Sequence, residues 1–138
     1  VACTTARHPT PPAAVFPSGA EFRLEIADDF EARQRGYMFR EHVGEREGML
    51  FLFERRGRHS IWMKNCRVGL DIIWLNDDGR VVEIAHDRQP CPAAGPCPGV
   101  FPMRAADYVL EVAAGTARRE GLRRDDFVTL YLEEPGPS

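Results

Sequence analysis

Apolar and charged residues alternate in "EFRLEIA" (21–27), which sets Phe22, Leu24 and Ile26 against Glu21, Arg23 and Glu25. That period of two predicts a half-buried strand. Asp28 offers its side chain to the free amides of a following turn, with Glu31 three residues on and Gly36 as the stop, so a short helix is expected over 29–35. "MLFLF" (49–53) is a continuous apolar run of buried-strand length, and "ERRGR" reads as the turn after it. Further strands are expected at 59–65, in "LDIIWLN" (70–76), in "RVVEIAH" (80–86), in "DYVLEVA" (107–113) and in "DFVTLYLE" (126–133). Between the second and third of these five, Asn76-Asp77-Asp78-Gly79 predicts a tight primed hairpin turn, because Asp-Gly accepts positive φ. "TARREGL" gives a second short helix ending at Gly121.

This pattern predicts one mainly β domain, a sandwich or partly open barrel of about seven short strands with two short helices. Residues 1–20 include "HPTPPAAVFPSG", whose prolines and missing periodicity predict a disordered tether left after a removed export signal. The domain is then expected over 21–134, with a tail at 135–138.

Composition narrows the function classes. Against 21 acids the chain carries 18 bases, mixed along its length, for a net charge of −3. With no basic block to follow a phosphate backbone, nucleic acid is not an expected partner. The longest apolar runs, such as "GMLFLF" (48–53), fall far short of the roughly 20 residues that cross a bilayer. Contact with a membrane is expected only through a lipid anchor. Val1-Ala2-Cys3 fits the end of a lipoprotein signal, which makes Cys3 a lipidation candidate, with a plain tail cysteine as the competing reading; the protein is expected to be exported, periplasmic or membrane-anchored.

Cys91 and Cys97 lie in the Pro- and Gly-rich loop "PCPAAGPCPGV". An exported protein favours a disulfide between them. Zinc, with His86 as a further ligand, is the competitor, although the tight Cys-x2-Cys hook is missing. Cys66 sits among apolar neighbours and reads as a small buried hydrophobe. Met38, Met49, Met63 and Met103 form no Met-x-x-Met cluster and read as packing rather than copper ligands, so no metal or cofactor is expected. Serine occurs at 18, 60 and 138 and never in a nucleophile turn.

One of the 18 bases is lysine, Lys64 in "SIWMKNCRVGLDIIW" (60–74). On a strand it shares a face with Trp62 and Cys66, opposite Ile61, Met63 and Asn65. Asp71, enclosed by Leu70 and Ile72, is the expected partner. A Lys64–Asp71 pair would fix strand register. A ligand-facing lysine is the second reading, and acid–base or covalent chemistry at Lys64 and Asp71 the third.

Four ordered segments, "RQRGYMFRE" (33–41), "EGMLFLF" (47–53), "IWMKNCRVGLDIIWLNDDGRVVEI" (61–84) and "YVLEVAAG" (108–115), resemble the bacterial and archaeal family known as domain of unknown function 192. The resemblance covers about residues 21–132 and implies a small, mostly β domain, often following an export or lipoprotein signal. It highlights Gly36, Met38, Arg40, Gly48, Met49, Trp62, Met63, Lys64, Asn65, Leu70 and Asp71. Tyr37 stands where the family usually has Leu, and Cys66 where it usually has Thr. The resemblance supplies no reaction.

The expected function is therefore an extracytoplasmic domain that binds a polar small molecule, an envelope polymer or a protein. Its groove would be edged by Arg40, Trp62, Lys64, Asn65 and Asp71, and would suit a saccharide, a peptide carboxylate or another anion. An enzyme using Lys64 and Asp71, which needs one cleft holding both, is the alternative. A purely structural assembly module, in which the two simply pair, is the third.

Overall fold

A computed structural model describes residues 8–133. Seven strands form a single curled half-barrel sheet: β1 (Ala13–Val15), β2 (Glu21–Ala27), β3 (Glu47–Gly57), β4 (Leu70–Leu75), β5 (Val81–Arg88), β6 (Ala106–Ala113) and β7 (Thr129–Tyr131). Two short helices, α1 (Phe30–Arg35) and α2 (Thr116–Arg119), complete it. The strand order is β5-β4-β6-β3-β2-β1-β7. Neighbours pair antiparallel except β2 and β3, which run parallel because α1 and the loop after it carry the chain back across one end. The mainly β domain with two short helices is the expected one.

The sheet is curled enough to bring its two ends together. Val128 donates its amide to the Gly79 carbonyl (2.9 Å) and Val81 donates to Asp126 (2.8 Å), so the β4–β5 turn abuts the segment leading into β7. Only glycine fits this approach: a Cβ at Gly79 would lie 2.1 Å from the Val128 carbonyl oxygen, and φ there is +84°. The turn itself is not of the primed type. Gly79 donates to Asn76 (2.9 Å) and is the turn residue with positive φ, the geometry of a type I turn followed by a bulge.

Both faces of the sheet are buried. Ile73, Leu75, Leu110 and Val112 point to an inner core shared with Phe16, Phe22 and α2. Leu70, Ile72, Trp74 and Val109 point to an outer core with Tyr37, Met49, Phe51 and Met63. A sheet covered on both sides explains why "LDIIWL" is buried at all six positions instead of alternating. The outer cover is made of loops, those after α1, after β3 and between β5 and β6, and the candidate site lies there.

Four local expectations change. Ala13–Val15, placed in the disordered tether, is instead a strand between β2 and β7, with Ala14 and Phe16 in the inner core. Prolines delimit this strand without preventing it. The cap of α1 is Asp29, whose carboxylate accepts from the Ala32 amide at 2.7 Å, one residue later than expected. "ERRG" extends β3 rather than turning it. Across a bulge Gly57 still pairs with Ala106, and Arg56 ties the extension to Asn76 at 3.0 Å. Residues 59–65 are not a strand: Ile61 makes one isolated bridge with Val100, and the chain then bends, with Asn65 left-handed at φ +58°. Cys3, residue 134 and the tail at 135–138 lie outside the described residues.

Candidate functional site

The loop 58–69 crosses the outer face of the sheet and anchors itself by burying Met63 between exposed neighbours. That leaves Trp62, Lys64 and Asn65 at the surface. The Lys64 ammonium sits over the Trp62 ring, 5.0 Å from its centre, a cation–π contact that holds the chain without neutralising it. The neighbouring loop locks onto this one. Phe39 donates its amide to the Asn65 carbonyl at 2.8 Å, and both residues are left-handed, Phe39 at φ +64°. Asparagine tolerates that conformation, but for a bulky aromatic residue it is strained, and such strain collects at binding sites.

These residues wall a pocket of about 500 Å³, completed by Cys66, Arg67 and the loop of Cys91 and Cys97. The two cysteines are joined as a disulfide, with Cα atoms 5.5 Å apart, which takes both sulfurs out of the zinc alternative. Cys91 donates its amide to Met63 at 3.2 Å, so the disulfide loop is fastened to the lysine loop. The lining carries two cations, Lys64 and Arg67, and no acid. Arg67 is shared with Glu41 at 3.1 Å on the open surface. Lys64 takes part in none of the ion pairs among the described residues.

Two expected members are elsewhere. Arg40 turns the other way, clasping Glu25 with both guanidinium nitrogens, one at 2.6 Å, and lying 5.2 Å over the Tyr37 ring. That guanidinium holds the Glu25 carboxyl below its usual range. Asp71 is fully buried and does not meet Lys64. Its carboxylate accepts from the amides of Asp87 (2.8 Å), Gly115 (3.2 Å) and Ala117 (2.8 Å). The first bond secures a bulge in β5. The other two supply the N-terminal cap that α2 lacks in its own sequence. Such an acid has no oxygen to spare for proton transfer, so the Lys64–Asp71 pairing, structural or catalytic, is not formed.

A second pocket of about 340 Å³ adjoins the first, sharing Trp62 and Cys66 as a wall. On its lining is a residue the sequence reading passed over, Glu111 of β6, which is 3% exposed. Burial pushes its carboxyl up to about 8. Burial, with Glu111 as a lesser cause, likewise raises the Cys66 thiol to about 11, which argues against a reactive cysteine. A signal for Glu111 was present in "YVLEVA": on alternating geometry it shares a face with Val109 and Ala113, an acid on an otherwise apolar stripe. Six large apolar side chains stand exposed among the described residues, and three of them, Phe39, Trp62 and Phe101, line these two pockets.

The profile of domain of unknown function 192, described as "Uncharacterized ACR", matches residues 13–130. The chain is 26% identical over 107 residues to UPF0127 protein TK1120 of Thermococcus kodakarensis, covering 78% of this chain and spanning 64% of that protein's length. Among solved structures, a protein of unknown function from Novosphingobium aromaticivorans shares the fold with a TM-score of 0.76 and 31% identity, covering 90% of this chain and 91% of that one. A Sinorhizobium meliloti protein, provisionally described as a transcription regulator, gives a TM-score of 0.76 at 29% identity, over 86% and 90% of the two chains.

Proposed function

Because the chain belongs to the family known as domain of unknown function 192, for which no reaction is described, we propose its function from the site: it binds a small polar ligand through an anionic group, carboxylate or phosphate, in the pocket of Trp62, Lys64, Asn65 and Arg67. The observation that carries this reading is the Lys64 ammonium, which belongs to no ion pair among the described residues and stands in a 500 Å³ pocket with a second cation and no acid on its lining. An anion there gains a charge-assisted hydrogen bond without having to break an existing pair. Trp62 adds a flat apolar face for the body of the ligand, the combination that sugar acids and peptide termini use. The Cys91–Cys97 disulfide supports an oxidising, extracytoplasmic setting for this binding.

Calorimetric titration with a panel of sugar acids, short peptides and phosphate esters tests the reading. Lys64→Ala is expected to weaken the best of them about tenfold or more, while Arg40→Ala leaves it within about twofold. Equal affinity for Lys64→Ala and the parent protein would remove the proposal. Intact-mass measurement of the native protein checks the setting, since a reduced Cys91 and Cys97 pair would speak for the cytoplasm.

A further inference from the structure

The smaller pocket poses a separate question. Glu111 lies on β6 opposite Met49 of β3 and Ile72 of β4, in the middle of the sheet. Among the described residues no protein group donates a hydrogen bond to its carboxyl, in contrast to the three amides collected by Asp71. The space before it is kept clear by Gly36: a Cβ there would stand 3.4 Å from Glu111 Oε1 and 3.3 Å from Phe51 Cζ. The fold has no evident need for an acid here. A leucine would pack between Met49 and Ile72 without the desolvation penalty.

The walls say what would suit it. Tyr37, Phe51, Trp62 and Phe101 give the pocket an aromatic lining, and aromatic faces attract cations. Arg33 and Arg35 of α1 also border it, and Arg33 is drawn elsewhere. Arg33 donates to the Leu52 carbonyl at 2.9 Å and lies 5.6 Å over the Phe53 ring. Arg35 acts on Glu25, where it helps to lower the carboxyl. The other titratable groups on the lining, Tyr37 and Cys66, are both held neutral by burial. Glu111 is thus the single acid of the pocket and the natural counter-ion for a positive centre.

We propose that this pocket binds an organic monocation, a primary amine or small alkylammonium, with its charged head against the Glu111 carboxylate and its carbon body among the aromatic rings. The proton balance is explicit. An ammonium R–NH3⁺ meeting the neutral carboxyl forms R–NH3⁺···⁻O2C, and the carboxyl proton leaves to solvent. The two sites share the Trp62 and Cys66 wall but not their charged residues, since Lys64 is not on this lining and Glu111 is not on the other.

Calorimetric titration with benzylammonium at pH 7, repeated in buffers of different ionisation enthalpy, is the test. Binding is expected with release of about one proton per amine, with benzyl alcohol weaker by about tenfold or more. Glu111→Gln is expected to abolish the proton release and cost about tenfold, whereas Glu21→Gln, at an exposed position that lines neither pocket, leaves both unchanged. Carbon-13 NMR of the Glu111 carboxyl in the unmodified protein gives a readout free of any folding defect in the variant: the amine should shift its titration to lower pH. Benzyl alcohol binding as well as the amine, amine binding without proton release, or a Glu111 titration that the amine does not move would each overturn the proposal. Absence of anion binding in the unmodified protein, with amine binding intact, would instead strike only the Lys64 reading.

Discussion

Asp71 and Glu111 are two buried acids on neighbouring strands of one sheet, β4 and β6, and their environments are opposite. Asp71 shares the parity of Ile73 and Leu75, which face the inner core, and three backbone amides satisfy it. Glu111 shares the parity of Val109, which faces the outer core, and looks into a pocket where no protein donor reaches it. A buried carboxylate with its lone pairs filled is a structural element that holds two loops and a helix end in place. One left unfilled is a cost that the fold does not recover internally. Burial of charge therefore does not identify a site; the bonding of the buried charge does.

Of the two acids, Asp71 should matter more for stability. Asp71→Ala strands the amides of Asp87, Gly115 and Ala117 in or near the core, and should cost about 3–5 kcal/mol in denaturant unfolding, with little change for a benzylammonium complex of the protein that remains folded. A loss below about 1 kcal/mol would mean that water replaces the carboxylate, and the structural reading of Asp71 would fall.

Glu111 should show itself through pH. Its carboxyl lies at about 8 in the folded protein against an ordinary 4.5, so between those values the unfolded chain has lost a proton that the folded protein keeps. Folding then takes up protons, and stability falls as pH rises, by up to about 1.4 kcal/mol per pH unit across that window, levelling above it. The sign is opposite to that of Glu25, whose lowered carboxyl contributes stability at neutral pH that fades in acid. Glu111→Gln should flatten the decline between pH 5 and pH 8 in a series of urea melts. An unchanged slope would show that the carboxyl is already ionised and paired.

Arg40 offers a smaller effect. Its pair with Glu25 is half-exposed, with side chains 40% and 52% accessible, so solvent screens it, and Arg40→Ala should lower stability by about 0.2–1 kcal/mol. The measurement that matters is the anion titration of the same variant. A large loss there would put Arg40 back beside Lys64, against the geometry.

Much of the sheet could be read directly because its strands keep a period of two or a compact apolar run: β2, β4 and β6 came within about a residue of their limits. The misreadings have definite causes. "SIWMKNC" alternates like a strand because Met63 must be buried while Trp62 and Lys64 are not, which a loop pinned by one side chain imitates over a short span. Ala13–Val15 looked like tether because the prolines around it hide a strand of three residues. Trp62, Lys64 and Asn65 were legible as a group from their spacing in one motif. Arg40 and Asp71 were not separable from them, since side-chain direction across loops has no linear signature. Glu111 was missed because attention to motifs favours the unusual residue, and a glutamate in a strand is ordinary until its face is known to be dry.

The smallest expected effect is the most discriminating between the sequence's first expectation and the structure. If Lys64 and Asp71 formed a buried pair, removing either partner would leave an uncompensated charge, and the two substitutions would be coupled by about a kilocalorie per mole or more. The structure instead gives Lys64 to the Trp62 ring at the surface and Asp71 to three amides in the interior. A double-mutant cycle with Lys64→Ala and Asp71→Asn, the latter chosen because it keeps one acceptor oxygen, should therefore be additive to within about 0.3–0.5 kcal/mol, with Lys64→Ala alone changing stability by less than about 0.5 kcal/mol. Additivity would leave the Lys64 ammonium free for an external anion. A coupling well above that margin would mean that the lysine is bound inward in solution, and the anion pocket would lose the cation on which it depends.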